Sequence, residues 1–276
     1  MKKINFLIGL FLVVSIAFVF TSCKKDQNTV NETSSSSDDA LAERIYDNVS
    51  NIADEAYSEK SGTLKSTDVR RLFLGDCVEI SLDTVSVPHA LIIDFGTENC
   101  LCNDGRYRRG KIIVSFTGRY RHPGTVITHG FDDYYVDDNK VEGTKVVTNM
   151  GFNEANHMYY QIEVVGVIFL ANEGGTVSWN SSLIREWVEG LFTFTLWDDV
   201  YLISGTSSGI RANGETWQRT TITPLRKELG CRHFVSGILE ITPGERPVRV
   251  LDYGDGECDN IATVTINGQV FTIYLP

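Results

Sequence analysis

The sequence predicts an all-β fold, a large antiparallel β-meander built as a sandwich or a curled sheet, preceded by one short N-terminal helix. Three observations carry this expectation. After about residue 70, apolar and polar residues alternate with a period of two, and Gly, Asn and Asp recur too often for a long helix to fit between them. Before that point Leu41, Ile45, Val49, Ile52 and Ala56 recur at spacings of four and three, one apolar stripe down a helix. The 276 residues are 42% hydrophobic and 22% charged, with 24 Gly and 6 Pro, a globular composition. A net charge of -11 leaves no broad positive face for a phosphate backbone, so nucleic acid is not an expected partner.

Residues 1–22 have the three parts of an export signal: Lys2 and Lys3, an apolar run over 4–20, and the small residues Thr21 and Ser22. The run is short for crossing ~30 Å of hydrocarbon. Phe20-Thr21-Ser22-Cys23 resembles a bacterial lipobox, with Phe20 where Leu is usual, and the resemblance implies that Cys23 becomes an acylated (palmitate-type) N-terminus. The alternative is plain secretion, with Cys23 as a sixth disulfide cysteine. Lipidation makes the bilayer a partner through Cys23, because several acyl chains at ~0.8 kcal/mol per buried CH₂ anchor stably. The mature balance is then 23 basic against 36 acidic residues, so adhesion to an anionic membrane by charge is not expected.

Next come residues 23–37, the acylated Cys and a polar, Ser-rich tether whose span is roughly 20 Å. The amphipathic helix is expected over 38–62, with Ser36 and Asp39 as its capping box, followed by a linker over 61–67. The β domain follows over 70–276, with about 11 to 13 strands. Its clearest hairpin is the last: Asn267-Gly268 favours a type I′ turn that sets Val264 opposite Phe271 and Ala262 opposite Ile273. Further turns are expected at Asp138-Asn139, Gly174-Gly175 and Asn213-Gly214, the last placing Ile210 opposite Trp217.

An internal echo links the two ends of the domain. Ile93-Asp94-Phe95-Gly96 followed by Cys100 matches Leu251-Asp252-Tyr253-Gly254 followed by Cys258, and Cys77 and Cys231 lie upstream in each unit. An exported chain sits in an oxidising compartment. With Cys23 spent on lipid, the echo selects Cys77–Cys100 and Cys231–Cys258 as disulfides and leaves Cys102 over. Cys102 competes with Cys100 for Cys77, since residues two apart on a strand share a face.

Four stretches stand out: Asn99-Cys100-Leu101-Cys102-Asn103-Asp104-Gly105-Arg106, Asp133-Tyr134-Tyr135-Val136, Trp187-Val188-Glu189-Gly190, and the ending Asp252-Tyr253-Gly254-Asp255-Gly256-Glu257-Cys258-Asp259-Asn260 with Thr263-Val264-Thr265-Ile266-Asn267-Gly268. Together they resemble a group of uncharacterised outer-membrane lipoproteins of Bacteroidota. The resemblance covers roughly residues 75–276 and implies a β domain held at the outer membrane; it carries no activity. Asp83-Thr84-Val85 also resembles the short acceptor that Bacteroidota glycosylate after export, which makes Thr84 a candidate O-glycan site.

No constellation demands catalysis. Gly205-Thr206-Ser207-Ser208-Gly209 has the spacing of a nucleophile elbow, but it sits in an alternating strand with no helix after it. Asp252, Asp255 and Asp259 lack the spacing of a Ca²⁺ loop and read as turn residues. The histidines at 89, 122, 129, 157 and 233 show no ligand pairing, so neither metal nor cofactor is expected. Asp132-Asp133, Asp137-Asp138 and Asp198-Asp199 read as solvated strand ends before acid/base couples. Trp179, Trp187, Trp197 and Trp217 either fill the core or form a ligand platform. The expected function is a membrane-anchored binding or scaffolding module for a glycan, peptide or envelope protein, and the alternative is an envelope hydrolase using strand-end carboxylates. A binding module needs an exposed aromatic patch; a hydrolase needs a cleft with two acids about 5 to 10 Å apart.

Overall fold

The computed structural model describes residues 27–61, 72–193, 195 and 197–275, with side chains from residue 41 onward. The expected signal peptide, Cys23 and most of the expected linker lie outside the described residues. One helix, α1 (Gln27–Lys60), is followed by β1 (Glu79–Asp83), β2 (His89–Asp94), β3 (Cys100–Leu101), β4 (Tyr107–Phe116), β5 (Val126–Val136), β6 (Asn139–Phe152) and β7 (Met158–Phe169). Then come β8 (Thr176–Glu189), β9 (Val200–Ile210), β10 (Thr216–Glu228), β11 (Ser236–Pro243), β12 (Arg249–Asp255), β13 (Ile261–Ile266) and β14 (Gln269–Tyr274). Each strand pairs antiparallel with its sequence neighbour in one 14-stranded open sheet, except that β2 pairs directly with β4 and β3 adds to the start of β4. The count exceeds the sequence expectation because a two-residue strand such as β3 has no readable period.

The sheet is curled, and α1 lies in its concavity. Around the single turn from Glu43 to Asp47, contacts reach Arg219 on β10, Trp179 on β8, Lys145 on β6 and Phe131 on β5. Five strand spacings of flat sheet would cover roughly 24 Å. A helix is about 10–12 Å wide, so the strands must wrap it. The wrapping explains why α1 buries more than the expected stripe: Ala42, Tyr46 and Ala53 are buried beside Ile45, Val49, Ile52 and Ala56. It also explains Gly166, where a Cβ would collide with the Tyr46 ring. Bending is visible at Gly110, at φ +78°, where the β4–β5 ladder slips between Arg109 and Lys111 as a bulge.

Polar contacts fix the helix in register. Arg219 grips Glu43 with two bonds of 2.7 and 3.2 Å, Lys145 Nζ donates to Tyr46 O at 2.8 Å, and Tyr46 OH donates to Glu142 O at 2.8 Å. A second apolar cluster of Leu225, Leu239, Leu251, Ala262, Val264 and Ile266 fills the later strands. Cys77–Cys100 and Cys231–Cys258 are disulfide-bonded, with Cα–Cα distances of 6.0 and 5.7 Å, and Cys102 is free and buried. The echo has a local structural counterpart: Asp94 and Asp252 each accept a 2.9 Å bond from the N–H of Gly96 and Gly254, which have φ of +82° and +91°.

Three expectations need correction. Helical backbone begins at Gln27, so residues 27–37 are helical rather than a flexible tether, and Ser36 and Asp39 lie inside the helix rather than at its cap. Once a helix is nucleated, each added residue gains a hydrogen bond, which outweighs the modest propensities of Ser and Asn. The β5–β6 turn is Asp137-Asp138, both at positive φ, one residue before the expected pair. At β9–β10 a three-residue loop with Gly214 at φ +82° pairs Ile210 with Thr216, not Trp217, because the glycine occupies the left-handed position that closes a type I turn. The final hairpin has the expected register, Val264↔Phe271 and Ala262↔Ile273.

Candidate functional site at the loop end of the sheet

Antiparallel order sorts the connections to two ends. The β5–β6, β7–β8, β9–β10 and β13–β14 turns gather at one end, and the β1–β2, β4–β5, β6–β7, β8–β9 and β10–β11 connections at the other, here the loop end. Tyr46 stacks on Trp179 near the start of β8, and Asp54 interacts with Arg185 further along that strand, so α1 runs toward the loop end and begins at the turn end.

The structure separates the four tryptophans. Trp179, Trp187 and Trp217 are buried in the core, so they are not an open platform, whereas Trp197 is 67% exposed. Trp197 shares the β8–β9 loop with Phe192, itself 83% exposed. The loop is held in shape. The Thr193 hydroxyl lies 3.0 Å from Gly190 O, 3.1 Å from Thr195 O and 2.9 Å from Asp198 Oδ1, and Trp197 N donates to Thr195 Oγ1 at 3.2 Å. Beneath it Arg121 donates to Leu191 O at 2.7 Å and stacks 4.6 Å over the Trp187 ring, which packs against Tyr201. Tyr201 OH donates to Asp199 Oδ2 at 3.3 Å, and burial raises the Asp199 carboxyl.

A cluster of phenolic and charged side chains lies between this base and α1. The Arg185 guanidinium lies 5.3, 5.4 and 5.9 Å from the rings of Tyr201, Tyr160 and Tyr120, and Arg185 donates to the Tyr120 hydroxyl. Tyr120 and Tyr160 stack at 4.6 Å, and burial raises the phenols of all three tyrosines. Asp54 has an exposed side chain, yet desolvation pushes its carboxyl up to about 6 against the pull of Arg185 and Lys145. Deeper in, burial and the neighbouring Lys145 charge hold His129 down at about 3.

These residues escaped sequence reasoning. Asp47 and Asp54 look like the solvated face of an amphipathic helix, and only the wrapped sheet turns that face toward Lys145 and Arg185. The available signal was an Arg at the inner end of β8 among alternating tyrosines on neighbouring strands.

The remaining candidates are scattered. Asp137 and Asp138 pair with Arg106 and Arg109 at the turn end, and Asp133 pairs with Lys140, so these carboxylates serve as ion-pair partners away from the Arg185 cluster. Asp252, Asp255 and Asp259 line a shallow depression of about 300 Å³ in which Asp252 and Asp259 cap turn N–H groups. Ser207 is a buried strand residue on β9, not an elbow nucleophile. Thr84 is exposed in the β1–β2 connection, where Asp83 Oδ1 accepts the N–H of Val85 and Ser86. No helix among the described residues is long and apolar enough to cross a membrane. No protein-family model matches the chain, and no curated protein or solved structure matches it significantly.

Proposed function

We propose that this chain is a membrane-anchored envelope lipoprotein that acts as a binding module through the loop end of its sheet. The observation that carries the reading is the β8–β9 loop, which presents Phe192 and Trp197 to solvent on a hydrogen-bonded frame while the other three indoles fill the core. A flat indole beside Thr193, Thr195 and Asp198 suits a sugar ring or a peptide side chain with one apolar face. The bilayer, reached through acylated Cys23, would lie at the turn-end side where α1 begins, so the aromatic loop would face away from it. The hydrolase alternative is weaker: of the paired strand-end acids, Asp133, Asp137 and Asp138 are held in ion pairs, and Asp199, whose carboxyl burial raises, is itself buried.

Trp197 supplies its own probe, because it is the exposed indole among shielded ones. Titrating the protein with envelope polysaccharide, peptidoglycan fragments and envelope peptides should blue-shift the emission for one class, and Trp197→Ala should abolish both the shift and retention of that class. Retention unchanged in Trp197→Ala and in Phe192→Ala would refute the site.

A further inference from the structure

The two free edges of the open sheet differ. The β1 edge is five residues long and carries Glu79 and Asp83, devices that discourage edge pairing. At the other edge β14 has no charged residue and pairs, among the described strands, only with β13. It leaves Val270 65%, Phe271 37% and Tyr274 72% exposed. The register determines which backbone groups are free. The Asn267-Gly268 turn, with φ of +50° and +78°, closes on Ile266↔Gln269. In a two-residue hairpin the pair flanking the turn is hydrogen-bonded and the ladder alternates from there. Ile266↔Gln269, Val264↔Phe271 and Ala262↔Ile273 are therefore the bonded pairs, and the N–H and C=O groups of Val270, Thr272 and Tyr274 point away from β13.

We propose that a second copy of this chain docks on this edge, β14 against β14, antiparallel about a two-fold axis through Thr272. In that register each outward-pointing residue meets another: Thr272 faces Thr272 of the second copy, and Val270 faces Tyr274. Thr–Thr and aromatic–β-branched neighbours are favourable cross-strand pairs. The contact is isologous and closes on itself, whereas β14 against a second copy's β1 would build an open filament. No charged side chain on β14 opposes its copy in this pairing. The dimer is independent of what the loop end binds.

Cysteine cross-linking of the full-length chain in its own membranes reads the register directly. Thr272→Cys should give an oxidised dimer on a non-reducing gel. Val270→Cys alone and Tyr274→Cys alone should not, because like positions would lie about 14 Å apart, beyond disulfide reach; the two variants co-expressed should cross-link. Thr272→Lys sets like charges across the axis without using any bond of the β13–β14 hairpin, and should convert the detergent-extracted dimer to monomer by mass photometry. Equal cross-linking at all three positions, none at Thr272→Cys, cross-linking of Thr272→Cys to Ser81→Cys on β1 instead of to itself, or a monomeric wild-type chain would each overturn the proposal.

Discussion

Removing the Glu43 carboxylate should unlatch α1 from the far side of the curl. Arg219 and Glu43 side chains are 1% and 11% exposed, joined by two bonds, and 176 residues apart in sequence. Glu43→Ala leaves a buried guanidinium short of its counter-charge, and such a loss costs about 3–5 kcal/mol, whereas an exposed pair would cost at most about 1. For a chain of this size that lowers the melting temperature by roughly 6 to 20 °C. Replacing both partners, Glu43→Leu with Arg219→Met, should recover most of the loss, since an apolar pair of similar volume has no charge to desolvate. Urea unfolding of the purified protein, followed by near-UV circular dichroism, gives the comparison, and 0.5 M NaCl should change the difference little because a buried pair is poorly screened. A Glu43→Ala loss below about 1 kcal/mol, or one erased by salt, would refute the wrapped-helix account.

Trp179→Ala should cost about 3–5 kcal/mol by emptying the stack on Tyr46, whereas Trp197→Ala should stay within about 0.5 kcal/mol; thermal unfolding separates the two. Opening Cys231–Cys258, which spans 27 residues, should cost on the order of 3 kcal/mol, measured as the shift of the urea midpoint in Cys231→Ser/Cys258→Ser. Asp54 and His129 should show opposing pH effects. His129, held at about 3, lies below its unfolded value near ~6.5, so its contribution is present above pH ~6.5 and is lost as the pH falls, at about 1.4 kcal/mol per unit. Asp54, raised to about 6, takes up its proton first in the folded state, so acidification from pH 6 toward ~4 favours folding, by less because the carboxyl keeps contact with water. In stability-versus-pH curves, His129→Gln should flatten the acid limb and Asp54→Asn should steepen it.

The fold was legible where local chemistry and global pairing agree. Alternation along 158–169 and 261–266 specifies strands whose inner residues are the buried ones, and Asn267-Gly268 sets the last register outright. The echo around Cys100 and Cys258 was enough to select the disulfides. Turn lengths were harder to read, since Gly214 marks the end of its loop rather than the centre, and a shift of one residue moves Trp217 from Ile210 to Gly209. The site was least legible. Exposure of Trp197 and burial of Trp179 depend on whether a residue lies in a loop or on the inner face of a curl, and no window of sequence encodes the curl. Asp54 and Arg185 are 131 positions apart and meet only because the sheet bends around α1.

A photo-reactive amino acid placed at Phe192 or Trp197 of the full-length protein in intact cells tests the central claim most directly. The account predicts a discrete envelope adduct from positions 192 and 197 and none from exposed Asn172 in the β7–β8 turn at the opposite end. Adducts from Asn172 alone, or equal adducts from both ends, would contradict it.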